Sequence, residues 1–111
     1  MVLPNVDSAI VERSKIVDYL LASEKNTGKA EFFTSFGFRI EKWQAMARAL
    51  IAHARDNEVT RSMTNQHGVK YIIEGRILTP DGRNPLVRSV WIIENHSIRP
   101  RLVTAYRLKG R

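Results

Sequence analysis

Residues 69–94 read VKYIIEGRILTPDGRNPLVRSVWIIE, and the period of their apolar residues decides the fold. In VKYIIEGRILT, Val69, Tyr71, Ile73 and Ile77 recur at even spacing, which places them on one side of an extended strand. Pro80, Asp81 and Gly82 then supply a turn: a fixed φ, a side chain that bonds its own backbone, and a residue free to take positive φ. LVRSVWIIE returns with the β-branched and aromatic residues that suit a half-buried strand. Two strands with so short a link pair antiparallel. The flanks extend the pattern. EVTRSMTN (58–65) alternates around Val59 and Met63, and RLVTAYRLK (101–109) follows a break at NHSIRP. Four strands in succession predict a meander.

Ahead of the strands the period changes to that of helices. Ser14 is placed to cap a short helix through KIVDYLLAS, where Ile16, Tyr19 and Leu20 fall on one stripe. EKNTGK is a polar link. Thr27 is placed to cap a second helix through KAEFFTSF, which Gly37 would close in left-handed geometry. EKWQAMARALIAHARDN is the clearest helix, with Trp43, Met46, Ala47, Leu50 and Ala54 on one face. A sheet with one apolar face has to be covered, and these helices are the cover. The expected fold class is α+β: three N-terminal helices packed on a four-stranded antiparallel β-meander. Residues 1–111 suit one domain with one core, the helical layer over about 12–57 and the sheet over about 58–109.

Composition removes several function classes. Hydrophobic residues make up 43% and charged residues 26%, as in ordinary globular chains. No apolar run reaches the ~18 residues of a membrane span. The first residues carry acids and no apolar core of a signal peptide, so the expected location is cytoplasmic. Without cysteine there is no disulfide and no thiolate zinc site. His53, His67 and His96 stand far apart, so no metal site is expected. Phosphate-loop, dinucleotide-loop and serine-hydrolase motifs are absent, and no cofactor is expected.

Charge is the informative quantity. The formal net charge is +7; residues 1–58 hold eight Lys/Arg against eight Asp/Glu, and residues 59–111 hold ten against three. The excess therefore belongs to the strands, and it points to a polyanionic partner, nucleic acid first and an acidic protein second. A solvated basic surface is the plainer reading of the same numbers. RNA permits cleavage without a metal, because its own 2′-hydroxyl can attack the adjacent phosphate. Cations stabilise the more negative transition state, and a His, Lys or Tyr moves the proton.

The candidates follow from that chemistry. Lys29 starts the second helix directly after Gly28, where backbone N–H groups and an ammonium could grip phosphate. Arg101 follows Pro100, which fixes the backbone before the last strand and aims the guanidinium. Thr104 and Tyr106 could donate to phosphate or to a leaving oxygen, although packing across the sheet explains Thr104 as simply and Tyr106 more simply. Arg88, on the neighbouring strand, could converge with Arg101, and Arg99 and Arg107 flank the same strand. His96 is the best histidine for acid–base work because its loop adjoins Arg99 and Arg101. His53 reads as a boundary residue of the long helix and His67 as a turn residue. Alternation leaves two arrangements open for RLVTAYRL. Either Val103 and Ala105 are core and Thr104 and Tyr106 face a groove, or Leu102, Tyr106 and Leu108 are core and the arginines flank open surface.

Seven segments carry a resemblance: LPN at the start, KIVDYLL, GKAEFF, GF, WQAMARALIAHARDNEV, YIIEGRILTPDGRNPLVRSVWII and PRLVTAY. Together they resemble a family of short uncharacterised bacterial proteins over nearly the whole chain. Members often carry a His-Pro pair in the loop after the YLL helix, where this chain has Lys25 and Asn26. The layout is similar to that of the barnase, colicin and RelE-type ribonuclease toxins. What that likeness implies is a toxin-like endoribonuclease acting on RNA without metal from a basic sheet surface, with a small acidic antitoxin-like protein covering the groove. The alternative is a non-catalytic module that binds nucleic acid or an acidic protein.

Overall fold

The computed structural model describes residues 1–24 and 27–109; Lys25 and Asn26, the departure from the His-Pro pair, lie outside the described residues. Three helices precede four strands, as the change of period predicts. Helix α1 covers residues 13–20, where an α-helical turn, Arg13–Lys15, widens into a π-helical segment, Ile16–Leu20. The Leu21 N–H reaches back five residues to the Ile16 carbonyl at 2.8 Å. Ser14 lies inside this helix rather than capping it. Glu12 takes the cap position without a side-chain bond, and the buried Ile16 and Leu20 hold the turn in place.

Helix α2, Thr27–Ser35, ends where Gly37 takes φ 106°. The Gly37 N–H bonds the Thr34 carbonyl at 3.0 Å and the Phe38 N–H bonds the Phe33 carbonyl at 3.3 Å, a closure that a left-handed residue permits. The connection over residues 77–85 docks on this end. Arg83 donates to the Ser35 carbonyl at 2.7 Å, and its guanidinium lies 4.3 Å from the Phe36 ring centre. Helix α3, Trp43–Asp56, buries Met46, Leu50, His53 and Ala54.

Strands β1 (Val59–Asn65), β2 (Gly68–Arg76), β3 (Leu86–Glu94) and β4 (Arg101–Arg107) form one antiparallel meander in the order β1-β2-β3-β4. The helices cover one face, where Ile73, Val87, Trp91, Leu102 and Ala105 join Ile16, Leu20, Phe33, Met46 and Leu50 in the core. No helix among the described residues is long and apolar enough to cross a membrane.

His53 corrects an expectation: it is a core residue, only 2% exposed, and not a boundary one. Its Nδ1 stands 3.0 Å from the Ser89 hydroxyl, and its Nε2 stands 3.1 Å from the carbonyls of Gly75 and Val87. Trp91 Nε1–H donates to the same Ser89 oxygen at 2.9 Å. One tautomer satisfies every atom: Nε2–H donates to the carbonyls, and the Ser89 O–H donates to Nδ1. A polar chain of this kind lets helix α3 sit flat on the sheet with no buried polar side-chain atom left unpaired among the described residues.

The last strand takes neither of the two regular arrangements. Thr104 pairs with Val90 and Leu102 pairs with Trp91, which leaves Val103 as an extra residue in a β-bulge. The bulge changes the phase of the strand. Leu102 and Ala105, three apart, both enter the core, and Thr104 and Tyr106 both face away from the helices. At the start of β4 the outer edge is covered by Ile10, whose N–H bonds the Pro100 carbonyl at 2.8 Å and whose carbonyl accepts from the Leu102 N–H at 3.0 Å.

Candidate functional site

The uncovered face of the sheet can be read off the strand register in three rows. Glu74, Arg88 and Tyr106 form one, Ile72, Val90 and Thr104 the next, and Lys70, Ile92 and Arg101 the third. The bulge at Val103 keeps Thr104 and Tyr106 in these rows; an unbroken strand with Leu102 in the core would put Ala105 outside. Helices α1 and α2 stand beside the β4 edge and reach over it. Tyr19 comes from the π-helical segment of α1, where the wider turn resets the direction of side chains. Lys29 comes from the first turn of α2.

Hydroxyls and cations meet there. Lys29 Nζ donates to the Tyr19 hydroxyl at 2.7 Å and to the Thr104 hydroxyl at 3.2 Å, and those two oxygens are 3.2 Å apart. The ammonium also lies 4.8 Å from the Tyr19 ring centre and 5.6 Å from that of Tyr106. Lys15 approaches the Tyr19 ring at 5.1 Å. In the next row Arg88 donates to the Tyr106 hydroxyl at 3.3 Å and through Nε to Glu74 at 2.7 Å. Its Nη2 pairs with the same Glu74 oxygen. The cluster is part-buried, so charged hydrogen bonds there are screened less than on open surface.

Tyr19 becomes more acidic in this arrangement. The hydrogen bond from Lys29, then that with Thr104, draws its pKa below the usual 10.0, while partial burial opposes the shift. A phenol made more acidic by a neighbouring ammonium gives up its proton more readily at neutral pH.

The sequence candidates separate into two groups. Lys29, Arg88, Thr104 and Tyr106 come together. Arg101 shares the open face but stands in the third row, where its guanidinium lies 3.1 Å from Glu94 and 4.0 Å from Glu12. Arg99 is exposed and donates to the Ser8 carbonyl at 2.9 Å. Arg107 is exposed at the end of β4 and lines a neighbouring cleft. His96 is exposed in the β3–β4 connection, beyond the Glu94 end of β3, whereas Arg88 and Tyr106 pair near its Leu86 end. His67 is exposed in the β1–β2 turn. Among the described residues no three His, Asp or Glu side chains stand close enough to hold a metal ion together.

Tyr19 and Glu74 are members that sequence reasoning did not single out. Tyr19 looked like a stripe residue between Ile16 and Leu20. The available signal was chemical: a tyrosine on an apolar stripe needs a partner for its hydroxyl. Glu74 offered only its place opposite Arg88 in the predicted hairpin.

Comparison with known proteins adds the following. No curated protein matches this sequence. In fold the chain is similar to a chain of the contact-dependent growth inhibition toxin–immunity protein complex from Klebsiella pneumoniae 342, with TM-score 0.74 and 18% identity over 95% of this chain and 97% of that one. Residues 2–109 match the family model described as domain of unknown function DUF6883, and the chain belongs to that family.

Proposed function

We propose that this is a toxin-like protein that cleaves RNA through the ribose 2′-hydroxyl, with the scissile phosphate on the uncovered face beside β4. The observation that carries the reading is the meeting of Lys29, Tyr19 and Thr104 within hydrogen-bond distance, with Arg88 and Tyr106 in the next row. Lys29 and Arg88 supply positive charge to the phosphate oxygens. Thr104 and Tyr106 donate hydroxyl hydrogen bonds to them. The 2′-oxygen attacks phosphorus and gives its proton to Glu74, the carboxylate held on that face by Arg88. The 5′-oxygen leaves with a proton from Tyr19, and the resulting phenolate is stabilised by Lys29. The products are a 2′,3′-cyclic phosphate and a 5′-hydroxyl. Arg101, with Arg99 and Arg107, holds flanking phosphates.

Two further facts support the reading. The net charge of +7 suits a chain that grips a polyanion. The similar fold belongs to a complex of a toxin with an immunity protein, which favours a partner protein for this chain; the basic charge of the chain makes an acidic partner the complementary one. The test is incubation of purified protein with total RNA in a chelator. Turnover that disappears in Tyr19→Phe supports the enzyme; intact RNA contradicts it.

One observation favours a second reading, a non-catalytic module that binds nucleic acid or an acidic protein. Arg88 and Arg101 are already paired with Glu74 and Glu94, and His67 and His96 are exposed in turns while His53 is spent on Ser89 and two carbonyls in the core. Salt-sensitive binding without cleavage would support it.

A further inference from the structure

Next to the Lys29–Tyr19–Thr104 cluster lies a cleft of about 540 Å³ between α2 and the end of the sheet, lined in part by Gly28, Phe32, Phe36, Arg76 and Arg107. A smaller recess of about 300 Å³, lined by Gly28, Lys29, Phe32, Tyr106 and Arg107, continues it to the cluster. Gly28, Phe32 and Arg107 line both. A path therefore runs from Lys29 and Tyr106, past the Phe32 ring, to Arg76. The Phe32 ring is fixed edge-on by Phe33 and Phe36, with centroids 5.0 and 5.1 Å away. Phe36 has the Arg83 guanidinium 4.3 Å from its ring centre. Arg76 is aimed by a bond to the Asn84 carbonyl at 2.9 Å. Apart from its chain neighbours and its own helix backbone, no described atom lies within 4 Å of where a Cβ on Gly28 would stand, so the described residues leave the entrance beside Lys29 open.

We infer that this cleft is a nucleotide subsite: one unpaired base of a single-stranded RNA lies against Phe32, and Arg107 and Arg76 hold the phosphate on its far side. The inference rests on the proposed function for the identity of the polymer. The volume is in the range of small-ligand sites. The combination of a fixed aromatic ring and two guanidiniums is that of sequence-tolerant single-strand binding, where bases stack on rings and cations follow the backbone. Duplex RNA would be excluded, because its bases are stacked within the helix and cannot reach Phe32.

The experiment uses a 2′-O-methyl RNA hexamer, which cannot react, and the same hexamer with one central abasic position. Affinities are measured for the wild-type chain, Phe32→Leu, Arg107→Gln and Lys29→Gln. Phe32→Leu keeps an apolar side chain against the core, and thermal unfolding checks that it folds. The wild-type chain is expected to prefer the base-bearing hexamer by about tenfold, within what one base on one ring contributes. Phe32→Leu should lose that preference, Arg107→Gln should weaken both hexamers, and Lys29→Gln should weaken both equally while keeping the preference. Equal affinity of the wild-type chain for the two hexamers, a preference retained in Phe32→Leu, or no binding of either overturns the subsite. Cleavage of unmodified RNA, followed separately, decides the function itself, so the two can fail independently.

Discussion

Replacing Lys29 with Met removes the ammonium and keeps an unbranched side chain of similar length. Lys29 donates to two hydroxyls, at 2.7 and 3.2 Å, and lies near two aromatic rings. The stability effect should be small. Tyr19 and Thr104 can still bond each other across 3.2 Å, and each lost ring–cation contact contributes about 0.5–1 kcal/mol at a partly exposed site. Relief from partial desolvation of the ammonium offsets part of that loss, which leaves a net change of about 0–1 kcal/mol. The activity effect should be large. A charged hydrogen bond to the transition state contributes roughly 1.5–3 kcal/mol, or about 10- to 150-fold in kcat/KM. Tyr19 also loses its main acidifying neighbour and becomes a poorer acid. Together these predict about a 100- to 1000-fold fall in kcat/KM on RNA. Denaturant unfolding and single-turnover cleavage measure the two quantities. Spectrophotometric titration, with Tyr19→Phe identifying the Tyr19 component, should show that component moving up toward 10 in Lys29→Met. Activity within threefold of wild type, or a Tyr19 titration that does not move, refutes the assigned role of Lys29.

Burial holds His53 neutral, with its pKa below the ordinary 6.5 despite the favourable Gly75 and Val87 carbonyls. The unfolded chain takes up a proton as pH falls through about 6.5 and the folded chain does not. Stability should therefore be complete above that pH and fall by up to about 1.4 kcal/mol per unit below it, and this slope should vanish in a folded His53 variant. Ser89→Ala leaves His53 Nδ1 and Trp91 Nε1 without their buried partner, and urea unfolding should show a loss of about 2–4 kcal/mol. Arg101→Ala removes a cation paired with Glu94 at 3.1 Å, so it should change stability by less than about 1 kcal/mol. The same substitution should lower the salt slope of RNA binding by about one while single-turnover rates at saturation stay near wild type. Gly68→Ala should destabilise by about 2–4 kcal/mol in the same unfolding assay, because Gly68 holds φ 152° and a Cβ there would fall 2.2 Å from the Ile93 carbonyl oxygen.

Much of the fold was readable from periodicity because both periods are strong. Met46, Leu50 and Ala54 recur on one helical face, and Tyr71 and Ile73 alternate on one strand, so element type and order follow directly. The phase of β4 was not readable. An extra residue at Val103 puts Leu102 and Ala105 on one face, whereas counting by twos assigns them to opposite faces. The two halves of the site differed for the same reason. Lys29 and Thr104 were visible as a helix-start cation and a strand hydroxyl. Their meeting with Tyr19 depends on contacts 75 and 85 residues apart in the chain, which no local pattern encodes. His53 was misplaced because its ring faces the core through a polar chain to Ser89, and such burial is invisible until the sheet supplies the partners.

The most direct measurement of the central claim is end-group analysis of RNA treated with the wild-type protein in a chelator. Attack by the 2′-hydroxyl at a phosphate held by Lys29, Arg88, Thr104 and Tyr106 predicts fragments ending in 2′,3′-cyclic phosphate with new 5′-hydroxyl ends, formed far more slowly by Tyr19→Phe. Fragments with 3′-hydroxyl and 5′-phosphate ends, or RNA that is bound but never cut, would contradict the account.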